Sequence, residues 1–129
     1  MLRTHYAGTR VLVADDDPLN LEIAVYLLEE VGFIVDQADN GQQAVELASE
    51  SDYRIVFLDV HMPVMDGLQA AMKIRQLTGY ADKPLFAMTG GAFTQDQRRC
   101  AEAGMNHFVS KPVSHEVLYR AVLEALQQT

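Results

Sequence analysis

Five short apolar runs, each broken off at a polar residue and each followed by a stretch with helical spacing, set the tightest limit on how this chain can fold. The runs cover residues 11–14, 33–35, 55–58 (in a strand expected over 53–58), 84–88 and 108–109. Continuous apolar character, rather than strict alternation, suits strands covered on both faces. Behind the first run, Leu21, Ala24, Val25, Leu28 and Val31 recur at helical spacing. Strands alternating with helices over short connections predict a parallel sheet, because a parallel pair needs a crossover and a helix is the compact one. The helices then cover both faces.

The punctuation agrees with this reading. Asp17 before Pro18 predicts a helix start, with the acid as cap and proline at the first helical position. Gly32 predicts its end. Residues 40–43, with Asn40 and Gln43, and residues 94–97, with Thr94 and Gln97, read as capping boxes. Asp66 and Ser114 read as helix starts, and Gly104 as a stop. The fourth helix shows a thin apolar face of Cys100, Ala101 and Ala103. The last carries Val117, Leu118, Ala121, Val122, Ala125 and Leu126. With 129 residues and no internal repeat or linker, the expectation is one domain over residues 10–129 behind an N-terminal tail, 1–9.

Composition excludes several classes of function. The net charge is −8, with no basic cluster, which speaks against direct nucleic-acid binding, where phosphate neutralisation supplies most of the affinity. No apolar run approaches the roughly 20 residues of a membrane span, and the N-terminus lacks the apolar core of a signal peptide. A single cysteine, Cys100, cannot form an internal disulfide, so a cytoplasmic location is expected.

Four of the five runs end on a group with chemistry: Asp15 and Asp16, Asp59, Thr89, and Lys111. Parallel strands bring all these ends to one edge of the sheet, where sites form in open α/β folds. Asp59 ends an apolar strand, a costly place for a carboxylate without a task. Three carboxylates gathered there repel and desolvate one another, and a divalent cation resolves the conflict. Oxygen ligands alone suit Mg2+. Asp59 keeps an oxygen with which to attack phosphorus, and carboxylates do form aspartyl phosphates. Such transfer needs charge neutralisation above all, which Mg2+, Lys111 and the Thr89 hydroxyl would share. The backbone N–H at Gly90 lies near them in sequence.

The Asp15-Asp16 pair, the LDVHMPVMDG stretch around Asp59, AMTG with Thr89, and FVSKPV with Lys111 together resemble a response-regulator receiver domain, over residues 10–126. Residues 98–113 further resemble receivers of hybrid sensor histidine kinases. The resemblance implies a flavodoxin-like doubly wound fold with five parallel strands in the order 2-1-3-4-5. It implies that Asp59 is the phosphoacceptor and that Asp16, Asp59 and the backbone carbonyl of His61 ligate Mg2+, with Asp15 acting through a metal-bound water. Thr89, Gly90 and Lys111 would bind the phosphoryl group, and Phe108 would be the switch aromatic. A histidine kinase or histidine phosphotransfer domain would be the donor, and phosphorylation could drive dimerisation. The chain would not be an enzyme in its own right, although phosphotransfer and autodephosphorylation chemistry would be intrinsic to it. One departure from the family pattern is the Gly90-Gly91 pair after Thr89, which predicts a mobile loop and an altered phosphoryl lifetime.

Other functions fit the residues less well. A phosphatase of the haloacid-dehalogenase type would want an acid two residues after Asp59, where His61 stands. A nucleotide or flavin binder would want a Gly/Ser/Thr-rich loop after the first strand, and Asp15, Asp16 and Asp17 would repel a phosphate there. A docking module that works without phosphorylation would not need the full residue set. Blander roles suit the remaining candidates. Asp17 reads as a cap. The His61 side chain, His5, His107 and His115 read as surface residues. Met62 and Met65 read as loop packing, and Cys100 as a small core residue.

Overall fold

The computed structural model describes residues 6–62, 64–89, 93–111 and 113–127. Five strands alternate with five helices: β1 (Arg10–Ala14), α1 (Pro18–Glu30), β2 (Ile34–Ala38), α2 (Gly41–Glu50), β3 (Ile55–Asp59), α3 (Gly67–Arg75), β4 (Leu85–Thr89), α4 (Phe93–Glu102), β5 (His107–Ser110) and α5 (His115–Gln127). All strand pairs are parallel and the sheet runs β2-β1-β3-β4-β5. The expected architecture and strand order are both present.

Local chemistry accounts for the element ends. Asp17 caps α1, accepting from the amide of Leu19 at 3.0 Å, with Pro18 at the first helical position. Asn40 caps α2 by accepting from the Gln43 amide at 2.8 Å. The Gln43 side chain reaches back one residue further than a capping box requires, accepting from the Asp39 amide. The full reciprocal box occurs instead at Asp66 and Gln69, at the start of α3. Ser114 closes the first turn of α5 through its carbonyl, which accepts from the Leu118 amide at 3.0 Å. Gly32, Gly79 and Gly104 adopt the left-handed conformation just beyond helix ends.

The sheet separates two apolar layers. One joins β-strand residues Leu12, Val56, Leu58 and Ala87 to α2, α3 and α4; the other joins Val11, Val13, Phe57, Phe86 and Val109 to α1 and α5. Period-two alternation along each strand sends neighbours to opposite layers. The buried Cys100 and the partly buried Met62 and Met65 belong to the first layer, as expected. Tyr6 packs against the second, and Gly8 donates to the Gly32 carbonyl at 2.7 Å, so the chain is already attached before β1 begins.

Several sequence expectations need correction. α4 begins at Phe93, so Thr94 lies inside the helix rather than before it. Ala101 is exposed, leaving Cys100 as the buried contact among the described side chains of α4, with Ala103 buried just past its end. Val117 is 52% exposed, because the buried stripe of α5 is Leu118, Val122, Ala125 and Leu126. β2 runs on through polar Asp36 and Gln37, which an edge strand tolerates. Asp36 there accepts from Arg10 at 3.1 Å and from the Tyr53 hydroxyl at 2.5 Å. His107 is not a surface residue: its half-buried ring lies on Phe86.

Candidate functional site

At the carboxyl edge of the sheet, β1 delivers Asp15 and Asp16, β3 delivers Asp59, β4 delivers Thr89, and Lys111 follows β5. Backbone bonds lock these ends together. The Asp15 amide donates to the Ala38 carbonyl at 3.1 Å, and the Lys111 amide to the Thr89 carbonyl at 2.7 Å. One carboxylate oxygen from each of Asp15, Asp16 and Asp59 falls within 4.8 Å of the others. Asp15 and Asp59 are buried, and Asp16 is exposed. The Lys111 ammonium donates to Asp59 Oδ1 at 3.0 Å and to Asp15 Oδ2 at 3.4 Å. The other Asp15 oxygen accepts from the Asp17 amide at 2.9 Å, which fixes its orientation.

The electrostatic balance is incomplete. Burial lifts the Asp59 carboxyl to about 6, helped by the charge of Asp15, and the hydrogen bond and charge of Lys111 oppose the rise without cancelling it. Lys111 moves the other way from what burial alone would give: the two carboxylates outweigh its desolvation and raise it. One lysine does not satisfy two buried acids and a third at their rim. An all-oxygen donor set with residual negative charge fits a hard divalent cation. The Thr89 hydroxyl is buried and has no hydrogen-bond partner among the described residues. A buried unpaired hydroxyl is unfavourable unless something arrives to use it.

The loop from Asp59 to α3 is held by close backbone contacts. The Gly67 amide donates to the Val60 carbonyl at 2.9 Å, and a Cβ on Gly67 would overlap the Asp59 carbonyl. Gly41, at the start of α2, likewise sits on the Met65 carbonyl and donates to it at 2.9 Å. Val64 is held at φ 69° and is 81% exposed, an unusual conformation for a β-branched residue. The sequence offers Asp66-Gly67 as a helix start only; that Gly67 presses on the end of β3 is a backbone contact that side-chain types do not reveal.

Most expected site residues therefore converge. Asp15, Asp16, Asp59 and Lys111 meet directly, with Thr89 on the adjoining strand. His61 is exposed. Phe108 is partly buried against the layer formed by α2, α3 and α4. Gly90 and Gly91 lie outside the described residues.

The family model for the response regulator receiver domain matches residues 11–123. The chain belongs to this family. Receivers are phosphoacceptor modules of two-component phosphorelays, and that is the function of this chain, as its motifs led one to expect. Hybrid signal transduction histidine kinase K of Dictyostelium discoideum is 33% identical over 92% of the receiver. The signal transduction histidine-protein kinase BarA of Escherichia coli K12 is 34% identical over 88% of it. The receiver spans only 10% and 12% of these two relatives. Among solved structures, the receiver domain of sensor histidine kinase PA1611 from Pseudomonas aeruginosa superposes with a TM-score of 0.87 at 30% identity. The match covers 94% of this chain and 99% of that one, and that structure has a magnesium ion coordinated in its active-site cleft. Chemotaxis protein CheY4 of Vibrio cholerae shares the fold, with a TM-score of 0.87 at 24% identity over 92% of this chain and 99% of that one. No helix among the described residues is long and apolar enough to cross a membrane.

Proposed function

We propose that Asp59 accepts a phosphoryl group from a phosphohistidine and that residues 10–129 act as the switching unit this modification controls. The observation that carries the reading is the buried Asp59 carboxylate flanked by Lys111 at 3.0 Å, two further acids and a Thr89 hydroxyl with no partner among the described residues. In the transfer, an Asp59 oxygen forms a bond to phosphorus while the phosphorus–nitrogen bond to the donor imidazole breaks, and the imidazole keeps that electron pair. A magnesium ion held by Asp16, Asp59 and the His61 carbonyl, with Asp15 at one remove, supplies charge neutralisation for the transferred group when bound. Lys111 exchanges part of its bond to Asp59 for a phosphoryl oxygen, and Thr89 donates its hydroxyl to another.

That donation draws Thr89 toward the phosphoryl group. Space opens behind it, Phe108 rearranges, and the α4–β5–α5 face shifts between two populations. α4 suits such motion because, among its described side chains, the buried contact is the small Cys100, with Ala103 just past its end. The same face would carry a phosphorylation-dependent dimer. The donor is a histidine kinase or a histidine phosphotransfer domain, and the location is cytoplasmic. Phosphotransfer and autodephosphorylation are the only chemistry assigned to the chain itself. Incubation with candidate phosphohistidine donors tests the reading: rapid Mg2+-dependent transfer to wild type and none to Asp59→Asn is expected. Transfer undiminished in Asp59→Asn would overturn it.

A further inference from the structure

The ring of His107 lies over Phe86, with centroids 4.8 Å apart and planes 18° from parallel. Phe86 lies in turn 4.7 Å from Phe57. The strand register places Phe57, Phe86 and His107 in one row across β3, β4 and β5. Two of these strands end in Asp59 and Thr89, and Lys111 follows the third. Phe57 and Phe86 belong to the layer that α5 covers with Leu118 and Val122. His107 closes the row at the sheet edge, half-buried, and is its only titratable member. Phe108, next in the chain, packs into the opposite layer.

Among the described residues, the charges that act on His107 are Arg75 from α3 and Glu124 from α5; β4 presents the Phe86 ring. Burial and Arg75 hold the imidazole below its ordinary range, against a smaller opposing pull from Glu124. A neutral imidazole stacks as an aromatic ring. An imidazolium in the same place loses hydration and meets the Arg75 charge.

We propose that His107 is a proton-responsive latch on the β5–α5 face: neutral, it completes the ring row beneath the layer that α5 covers; protonated, it leaves Phe86, breaks the row and loosens α5. The latch acts independently of Asp59 phosphorylation, so it can be tested where that reaction is absent.

The test uses the Asp59→Asn chain, which removes the buried carboxyl raised to about 6. Histidine ring resonances and amide hydrogen exchange along α5, corrected for intrinsic rates, are followed from pH 7.5 to 5 by NMR. The expected result is a His107 titration below the usual histidine range, with α5 protection falling about fivefold or more in step with it. His107→Phe keeps the row and should abolish this pH response. Glu124→Gln, an exposed change, should move the His107 titration to lower pH. The latch is overturned by an equal loss of α5 protection in His107→Phe, by a His107 titration that leaves α5 unchanged, or by one that Glu124→Gln does not move.

Discussion

Asp59 is held in a conflict that the apo protein does not resolve, and the conflict has a measurable sign. Its folded-state carboxyl titrates near 6, above the ordinary 3.8. The folded state therefore binds its proton more tightly than the unfolded one, and the stabilisation this gives below about pH 4 is lost as pH rises through 6. Asp59→Asn should accordingly raise the unfolding free energy of the metal-free chain by about 1–3 kcal/mol at pH 7.5, and by much less at pH 4. Urea unfolding at the two pH values checks this, and equal effects at both would contradict it. Neighbouring glycine chemistry gives a second expectation. Gly67→Ala forces a Cβ against the Asp59 carbonyl and should cost more than about 2 kcal/mol. Val64→Gly relieves a left-handed β-branched residue and should stabilise by about 0.5–1 kcal/mol, read as a rise in Tm. The acids and Lys111 were legible in the sequence because their types and strand-end positions carry the chemistry. Gly67 and Val64 were not, because a close backbone approach leaves no pattern in side-chain types.

At the scale of elements, caps and apolar runs predicted the order of strands and helices because each signal is local. Asp17, Asn40 and Asp66 all cap where their side chains suggested. The errors fell where tertiary context decides. β2 was read too short because an edge strand accepts Asp36 and Gln37, and His107 was read as surface because stacking on Phe86 is a cross-strand contact. α1 shows what burial patterns add to sequence. Its Leu19 and Tyr26 are 63% and 62% exposed, on a helix that begins beside Asp15 and Asp16. Exposed apolar side chains on a helix that starts at the acid cluster suit a helical donor surface. Leu19→Arg with Tyr26→Ala should slow transfer from a phosphohistidine protein tenfold or more while leaving labelling by acetyl phosphate within about twofold. Equal slowing of both reactions would place these side chains in the chemistry instead.

Across the whole molecule, the two ends of the sheet do different work. The amino ends are fastened by fixed polar bonds. Arg75 donates to the carbonyls of Gly104, Tyr80 and Lys83, and the Tyr80 hydroxyl joins Ser51 to Tyr53. The carboxyl ends hold an unbalanced acid cluster and a hydroxyl without a partner among the described residues. Stability is thus concentrated at one edge, and readiness to respond at the other. The central claim is that Asp59 is the atom-level acceptor, and reductive trapping tests it most directly. Wild-type chain is labelled with acetyl phosphate and Mg2+, reduced with borohydride, which converts an acyl phosphate to the alcohol, and mapped by peptide mass spectrometry. The account predicts homoserine at position 59 and at no other acid. Homoserine at Asp15 or Asp16 in place of 59, or none at all from a labelled chain, would contradict it.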